Sequence, residues 1–597
     1  MAACPAGQMP QTGPNTCVSV GTDAVPSGFE AAGPQWGFRA IVPSAACGAD
    51  TRAAIGQTAC QPIDDCSAPF PPSNATITVQ SGATGAVPWI VPTIAAALAI
   101  AANGSTIAID EGTYAGVVID RDVNFVGRCA SKVIVQSQST NDHGIGADGP
   151  YKVSVRSVGF QGFNFAIWVG GGSNVTVQNS VFSLGQVAAW VTTGGTLQFQ
   201  GNLVDSTPSI MVDGVLVADG GQATVSDTEF RDIHIALDAF GRGARATGSR
   251  LVVSERSPEF SALLIAAVGG EVDVDHSRLE AFQKSVGAAE DTDVREPGKT
   301  EGGTLHVSSS ELVRTFSTDP SGLDVSGGSS LELAESTLAY RARIAVSAEY
   351  ASNVTVTRSV IRPVDPSDPA NHALGSAFVV NDGTRLAVEE SAILSPGQSA
   401  ILASNGCQIT LDRSLIQGTW EFARTDLTTR LGIGQAISLS GNASLVMTDS
   451  TLEDNAGVSI WMSNETASIQ VLRSAILDTR DPKTSTSTAG LLAWGGTVDV
   501  EDSLVQGIPD TAIAIGQAMG VVSHTILGKS SVGFRMMGDS RLVQVKDASL
   551  RPSAGKVLSR ENVLIDMASA EQGGTLPLGG CRCPDAGAPS VPDAAAP

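Results

Sequence analysis

The stretch Val175-Thr-Val-Gln-Asn-Ser180-Val-Phe182 carries the pattern that decides the fold. Two apolar residues at alternate positions are followed by a serine and then by another apolar residue. The pattern returns at Val272-Asp-Val-Asp-His-Ser277-Arg-Leu279 and many times elsewhere. At a mean spacing of about 26 residues, copies begin at Val153, Val175, Leu197, Ala223, Ala244, Val272, Leu305, Leu331, Val354, Leu386, Ile409, Leu445, Ile469, Val498, Met519 and Val543.

Each copy is preceded by a second apolar strand, and a glycine-rich turn such as Gly170-Gly171-Gly172 separates the two. Alternation at period two turns one side of each strand inward, and stacked coils bury a continuous core that no single coil could cover. Helical repeats would need a 3.6-residue stripe, and propeller blades about 40 residues each. The sequence therefore predicts an all-β protein, a right-handed parallel β-helix of about 16 or more coils.

A polar residue occupies the same turn of successive coils, and this row predicts a structural ladder. Stacked polar side chains at a buried turn hydrogen-bond their neighbours above and below, and so many successive hydroxyls cannot all be nucleophiles. The row comprises Ser180, Asn202, Thr228, Ser249, Ser277, Ser310, Ser336, Ser359, Ser391, Ser414, Ser450, Ser474 and Ser503. One position earlier the charges alternate in sign, which predicts ion pairs between coils, through Glu335, Arg358, Glu390, Arg413, Asp449, Arg473 and Asp502.

The start of the repeats resembles the pectin-lyase-like superfamily. An alanine-rich helix is predicted over 92–103, with Gly104 past its end, and is followed by Gly112-Thr-Tyr114 and by Val123-Asn-Phe-Val-Gly127. Members of the superfamily often open in this way. The resemblance spans about Pro92 to Leu550 and implies a right-handed β-helix whose first coil is covered by the helix.

The catalytic motifs of that superfamily are missing from this sequence. Pectin methylesterases carry Gly-x-Tyr-x-Glu, whereas Gly116 stands here at the position of the acid. The paired aspartates of polygalacturonases have their only counterpart in Asp64-Asp65, outside the repeats. The segment from Val272 to His276 is similar to a pectate-lyase segment but lacks its tryptophan. No catalytic residue is therefore assigned, and the sequence leans against an enzyme.

Composition limits the partners. Sixty acidic and 36 basic residues give the 597-residue chain a net charge of −24, which opposes binding to nucleic acid or to an anionic membrane. The sequence contains no run of about 20 apolar residues, so no transmembrane helix is predicted.

The sequence divides into three parts. We expect a Cys-rich, Gly/Pro-rich leader over 1–75 that forms a small cap, the β-helix over 76–570, and a Cys-containing, then Pro/Ala-rich tail over 571–597. The oligomeric state is not specified by the sequence.

The nine cysteines point to an oxidising compartment. Met1-Ala-Ala-Cys4 resembles the end of a bacterial lipoprotein signal, which would make Cys4 a lipidation site and the protein an outer-membrane lipoprotein; the alternative is an unpaired thiol. The other eight are expected in disulfides, namely Cys17, Cys47, Cys60, Cys66, Cys129, Cys407, Cys581 and Cys583. The protein is expected to be bacterial and extracellular or at the cell surface.

Candidate binding residues lie in longer intervals and at outward tryptophans. Longer intervals build either a binding wall or merely solvated loops; they hold Asp291, Asp293, Asp365, Asp368, His372, Trp420, Glu421 and Arg424. No cofactor is certain, but calcium is the candidate ion, with Asp273, Asp275, Asp291 and Asp293 as ligands. Trp168 and Trp190 lie one coil apart and point outward, either as a platform for a sugar ring or protein, or packed beneath the leader or tail.

These observations favour a secreted or cell-surface β-helix protein without catalysis that binds polysaccharide or another surface component. The first alternative is a polysaccharide lyase or glycoside hydrolase that acts on an acidic polysaccharide. The second is a purely structural surface component.

Overall fold

The computed structural model describes residues 4–5, 7–10, 17–33, 36–84, 87–137, 143–183, 185–206, 213–254, 264–281, 286–289, 302–314, 321–340, 344–363, 375–397, 399–419, 434–464, 466–480, 488–530, 532–537, 543–546, 549–551 and 563–564. Each coil of the chain contributes one strand to each of three long sheets, in the order sheet 1, sheet 2, sheet 3. Strands of successive coils pair in parallel and in register. The prediction of an all-β parallel β-helix is confirmed.

Sheet 1 contains the apolar-x-apolar strands of the repeat. Its last strand is antiparallel to the others. The strands are Ile77–Val79, Ile90–Val91, Ser105–Ile109, Val123–Gly127, Lys152–Arg156, Asn174–Gln178, Thr196–Gln200, Gln222–Ser226, Arg245–Ser249, Glu271–Asp275, Thr304–Ser308, Ser330–Ala334, Asn353–Thr357, Arg385–Glu389, Gln408–Asp412, Ser444–Thr448, Ser468–Leu472, Thr497–Glu501, Met519–Ser523, Val543–Lys546 and Val563–Leu564.

Sheet 2 follows after a short turn and has 18 strands in the described chain. They are Gly112–Ala115, Val133–Gln136, Gly159–Gln161, Val181–Ser183, Leu203–Asp205, Glu229–Arg231, Val252–Ser254, Arg278–Ala281, Glu311–Arg314, Thr337–Tyr340, Val360–Pro363, Ala392–Leu394, Leu415–Gln417, Thr451–Glu453, Ala475–Leu477, Leu504–Gln506, Ile526–Gly528 and Ser549–Arg551.

Sheet 3 completes each coil and has 17 strands in the same residues, in agreement with about 16 or more coils. They are Val117–Ile119, His143–Asp148, Phe165–Gly170, Val187–Val191, Asp213–Ala218, Ile235–Phe240, Leu264–Ala267, Val286–Ala289, Ser321–Val325, Ile344–Ala348, Ser376–Val380, Ser399–Ala403, Gln435–Leu439, Val458–Met462, Ala489–Trp494, Thr511–Gly516 and Val532–Met537.

A short helix, Ile94–Ile100, covers the first coil. It is shorter than the predicted 92–103 because it begins after Thr93, whose hydroxyl accepts a hydrogen bond from the Ala96 amide at 3.1 Å. Ile94, Ala97 and Leu98 are buried and join the core of the β-helix. The helix thus protects apolar side chains of the first coil from water.

The polar ladder forms as predicted over most of its length, at the turn between sheets 1 and 2. The amide of Ser277 donates to the Ser310 hydroxyl at 3.0 Å, and the amide of Ser310 donates to the next hydroxyl, Ser336, at 3.1 Å. The bonds continue coil by coil to Ser503. These hydroxyls are buried and satisfied by backbone groups, so the row is structural.

One rung of the predicted ladder was wrong. Ser249 ends a strand of sheet 1, and Leu251 takes the ladder position, where its amide donates to the Ser277 hydroxyl at 2.9 Å. The cause is Gly248, because a Cβ there would lie 2.7 Å from the Leu251 side chain. Leu251 fills core space that glycine leaves empty. The copy predicted to begin at Ala244 is accordingly aligned from Ala246.

The described residues of the leader lie along the side of the β-helix and not over its end. Three short hairpins form from Gln8–Pro10 with Cys17–Ser19, Phe29–Ala31 with Phe38–Ala40, and Thr51–Arg52 with Gln61–Pro62. Their contacts run from Thr451, which donates to the Pro10 carbonyl, down to Ala130, whose amide donates to Asp64. The leader therefore follows the outer face of sheet 2 across twelve coil steps, about 58 Å.

Candidate functional site

A column of outward side chains on sheet 3 forms the candidate site. Strand register places Trp168 beside Trp190, Trp190 beside Leu216, and Leu216 beside Asp238. The residues that flank each tryptophan are fully buried in the core, for example Ile167. Because alternate residues face opposite sides of a strand, the two indoles lie on the outer surface, as predicted.

The indoles belong to a cluster of four rings, His143, Phe165, Trp168 and Trp190, which we call the aromatic face. The planes of Trp168 and Trp190 are parallel within 9°, with centroids 6.3 Å apart. Phe165 meets Trp190 edge-on at 4.9 Å, and His143 lies 4.8 Å from Trp168. Parallel-offset and edge-to-face contacts are the favoured arrangements of aromatic pairs, so the four rings brace one another.

A local irregularity of the strand brings Phe165 to this surface. Ala166 and Ile167 both belong to the buried core, although they are neighbours in sequence. With two consecutive residues turned inward, Phe165 and Trp168 fall on the same outer side. Simple alternation would have turned Phe165 to the inside, which is why it was not among the predicted site residues.

Two carboxylates lie farther along the same sheet. Asp238 is largely buried, and its Oδ1 has no hydrogen-bond partner within the described chain. Burial, with a further contribution from the negative charge of Asp213, raises the pKa of Asp238 to about 7. Asp213 itself lies 3.1 Å from the Nδ1 of His234. Asp238 is about 10 Å from Trp190, two coil steps away.

These three polar residues were not predicted as a site. Asp238 falls at the position of the tryptophans two coils later, so extending the tryptophan register would have found it. Asp213 and His234 face each other across neighbouring coils, and the sequence carries no motif that links them. Burial of Asp238 depends on the tertiary structure and has no signature in the sequence.

The leader does not cover the aromatic face in the part of the chain that the structure describes. The described leader residues run along sheet 2, where Met9 and Val20 pack against Val360 and Ala392. Phe38 donates its amide to Thr337 of the same sheet. Sheet 3 is a different side of the coil. These contacts therefore do not place the described leader residues over the tryptophans, and packing beneath the tail stays open because residues 571–597 lie outside the described residues.

Two of the four predicted calcium ligands, Asp273 and Asp275, lie on the outer face of sheet 1, where they already have protein partners. Arg245 contacts Asp273 at 2.6 Å and Glu271 at 3.4 Å. Asp275 bonds to His276 at 2.6 Å and accepts from the Ser308 hydroxyl at 3.0 Å. The guanidinium of Arg245 lies where a cation would bind between the two carboxylates, and it already offsets part of their charge.

A group of three possible metal ligands, which includes Asp273, also suits calcium poorly. Glu271, Asp273 and His306 each bring one ligand atom within 4.8 Å of the others. Calcium takes six to eight oxygen ligands, whereas this group offers two carboxylates and an imidazole that is bonded to Glu332 at 2.8 Å. Asp273 and Asp275 are thus already paired with protein groups, whereas Asp291 and Asp293 lie outside the described residues, so the calcium site stays a prediction.

Several predicted residues fall outside the described residues. They are Asp291, Asp293, Asp365, Asp368, His372, Trp420, Glu421, Arg424, Cys581 and Cys583. The binding wall expected in the longer intervals therefore stays a prediction.

Two cysteine predictions are corrected. Cys4 forms a disulfide with Cys17, so its sulfur has no free valence for the predicted lipid. Cys407 is a free thiol with no exposed surface in the β-helix core, and is not in a disulfide. Two further bridges, Cys47–Cys60 and Cys66–Cys129, use predicted cysteines, and the second ties the leader to the first coils.

The described residues include no helix with the length and apolar character needed to cross a bilayer.

Comparison with known proteins supports the architecture. The family model for the right handed beta helix region matches residues 305–476 and 345–527, which confirms the predicted handedness. No curated protein sequence matches the chain.

Solved structures show likeness at low identity. The pre-mature gene product 12 of bacteriophage phi29 is 10% identical over 77% of this chain and 72% of its own, with a TM-score of 0.34. The catalytic domain of a GH87 α-1,3-glucanase in complex with nigerose is 12% identical over 70% of each chain, with a TM-score of 0.29. A PL6 family alginate lyase is 10% identical over 77% of this chain and 97% of its own, with a TM-score of 0.19. Likeness at this level says nothing about activity or ligand.

Proposed function

Because the chain is a right-handed parallel β-helix protein, we propose that it is a secreted or cell-surface binding protein whose sheet 3 presents the aromatic face to a polysaccharide. The observation that carries this proposal is the parallel pair of indoles, Trp168 and Trp190, on an outer surface. Half-buried tryptophans on a rigid sheet offer a large apolar area at little entropic cost. Groups of this kind dominate binding energy at protein surfaces.

The rigidity of the support strengthens the proposal. The two indoles stand on paired strands whose inward residues are fully buried, and Phe165 and His143 brace them from the side. These side chains therefore lose little conformational freedom when a ligand binds. An extended, regularly repeating ligand suits a surface whose side chains repeat at every coil, about 4.8 Å apart.

The disulfides indicate the compartment of the protein, and its net charge limits the class of ligand. Three disulfides in the described chain support an oxidising environment outside the cytoplasm. The net charge of −24 disfavours long polyanions through overall repulsion. A neutral polysaccharide is therefore the preferred ligand, with another surface component as the alternative partner.

A second candidate function is cleavage of the bound polysaccharide, and Asp238 is the observation that favours it. A carboxyl with a pKa of about 7 is protonated in about half of the molecules at neutral pH, and this fraction has a proton to donate as a general acid. Glycoside hydrolysis needs a second carboxylate nearby, and Asp213 is close enough to raise the pKa of Asp238. Both residues share the outer surface of sheet 3 with the tryptophans.

One experiment separates these functions. The protein is incubated with neutral and acidic polysaccharides, and both retention on the polymer and release of reducing ends or unsaturated uronates are measured, with calcium and with chelator. Retention without products supports the binding protein. Products that disappear in Asp238→Asn support the hydrolase instead. Neither retention nor products on any polymer contradicts both and leaves a purely structural role.

A further inference from the structure

A second, unrelated cleft lies where the leader crosses the edge between sheets 1 and 2. Arg52 enters it from the leader hairpin. Arg156, Gln178 and Gln200 enter from the ends of three neighbouring strands of sheet 1, where they are register partners. The cleft is remote from the aromatic face, which belongs to sheet 3.

Arg52 is the unusual member of this cleft. Its Nε and Nη1 atoms have almost no accessible surface and no hydrogen-bond partner among the described residues. Buried guanidinium nitrogens without partners lose their hydrogen bonds to water and gain none in exchange, and such atoms are rare in folded proteins. An anion is the group that would complete its hydrogen bonds.

The backbone on both sides of Arg52 is fixed, so the side chain is held at the cleft. The carbonyl of Thr51 accepts a hydrogen bond from Arg231 at 2.6 Å, and the amide of Ala53 donates to Glu229 at 2.5 Å. The Cys47–Cys60 disulfide closes the hairpin. A site whose framework is fixed before binding needs little reorganisation to accept a ligand.

The carboxylates near Arg52 are engaged by other arginines. Glu229 holds Arg231 through both of its oxygens at 2.7 Å, and Asp227, which also lines the cleft, is bonded to Arg250 at 2.7 Å. Burial lowers the pKa of Arg52, while the two carboxylates act in the opposite direction. Neither carboxylate makes a hydrogen bond to Arg52 in the described chain.

Arg156 supplies a second cation to the same cleft. Its side chain is exposed, and although the charge of Asp64 acts on it, no hydrogen bond or ion pair joins the two side chains in the described chain. Gln178 donates to Gln200 at 3.1 Å, so the two amides form an ordered polar edge beside the arginines. The floor is Gly201, where a Cβ would lie 2.6 Å from Asn179 Oδ1 and 3.9 Å from Arg52 Nη2.

From this arrangement we propose that the cleft binds a small oxyanion, a sulfate, phosphate or carboxylate group, between the guanidinium groups of Arg52 and Arg156. The planar fork of each arginine matches the oxygens of such a group. The location is specific, because the chain as a whole is strongly acidic and repels anions elsewhere.

The test is titration calorimetry of the full chain with sodium sulfate, sodium phosphate and sodium glucuronate, at constant ionic strength set with chloride. The expected result is saturable binding of at least one anion with a Kd of about 1 mM or tighter. The first two anions report a free inorganic ligand, and glucuronate reports a carboxylate carried on a sugar. No saturable binding of any of the three overturns the proposal.

Two variants and one control locate the anion. Arg52→Gln and Arg156→Gln are each expected to weaken binding by about tenfold or more, because each removes charge-assisted hydrogen bonds. Arg39→Gln is the control, since Arg39 is an exposed leader arginine paired with Glu30, and its affinity is expected to match that of the unmodified protein. Arg156 is exposed, so its variant stands even if Arg52→Gln does not fold. Equal affinity in Arg156→Gln and the control overturns the proposal.

Discussion

The guanidinium of Arg473 holds the carboxylate of Asp449, on the preceding coil, through two hydrogen bonds of 2.9 and 2.7 Å. Both residues occupy the turn between sheets 1 and 2 with φ near +47°. The same relationship joins Arg358 to Glu335, and Arg413 to Glu390. The alternation of charge in the sequence therefore becomes a series of ion pairs between coils, which favours the correct stacking register over a slip of one coil.

Reversing one charge in this series is expected to cost more than removing it. Arg473→Ala deletes an exposed ion pair and should lower the free energy of unfolding only slightly, because solvent screens the pair. Arg473→Glu adds repulsion from Asp449 and Asp502 and should lower the free energy of unfolding measurably more than Arg473→Ala does. Urea unfolding at low and high salt measures both, and the difference should shrink at high salt. Equal midpoints for the two variants at low salt would remove the ion pairs from the account.

The buried pair Glu229 and Arg231 anchors the leader, and breaking it is expected to be severe. Their side chains are only 4% and 1% exposed, and both bond to leader backbone. Glu229→Ala leaves the buried Arg231 with only the longer carboxylate contact, to Asp205 at 3.4 Å, and should lower the free energy of unfolding by about 3 kcal/mol.

Unfolding midpoints and limited proteolysis of the leader test this anchor. Glu30→Ala, which removes an exposed leader ion pair with Arg39, is the matched control. The account expects the leader to be cleaved faster in Glu229→Ala than in the control. Identical cleavage rates and midpoints for the two variants would show that the leader is held by other contacts.

The raised pKa of Asp238 predicts how stability depends on pH. Between about pH 4 and 7 the folded protein keeps a proton on Asp238 that the unfolded chain has released, so stability falls as pH rises through this window. Asp238→Asn imitates the protonated form at every pH. It should match the unmodified protein below about pH 4 and become the more stable of the two above pH 7, by a few kcal/mol at most.

Thermal unfolding midpoints of the two proteins from acid to neutral pH supply the measurement for Asp238. A constant difference across the range would mean that the carboxyl titrates normally and would also withdraw support from the hydrolase alternative.

Much of the fold was predictable because nearly every coil repeats the same pattern of apolar and polar residues. The interval between Trp168 and Trp190 equals one coil, so their contact followed from the repeat alone. Periodicity does not decide the position of Ser249, because the alternating small residues of this coil fit the repeat equally well from Ala244 or from Ala246. Gly248 decides between them only through its lack of a side chain in the core.

The leader and the polar half of the site were not predictable for a different reason. Leader contacts use side chains far away in sequence, such as Thr337 and Glu311, which bond to leader backbone amides. Nearly every residue has a backbone amide, so the leader sequence does not show which of its residues bonds to the β-helix. Likewise Cys4 and Cys407 were misassigned because cysteine spacing does not encode which thiols the fold brings together.

The central claim is that the aromatic face binds polysaccharide, and the most direct measurement compares two variants. Trp168→Ala combined with Trp190→Ala removes both indoles. Leu402→Ala removes an exposed apolar side chain from the same column of sheet 3, eight coil steps from Trp190 or about 38 Å. Affinity for the polysaccharide retained by the unmodified protein is measured for both.

The account predicts that the double tryptophan variant binds at least about tenfold more weakly, a loss of 1.4 kcal/mol or more, while Leu402→Ala binds as the unmodified protein does. A double variant that unfolds more easily but binds with unchanged affinity would contradict the account, because the indoles would then serve packing alone.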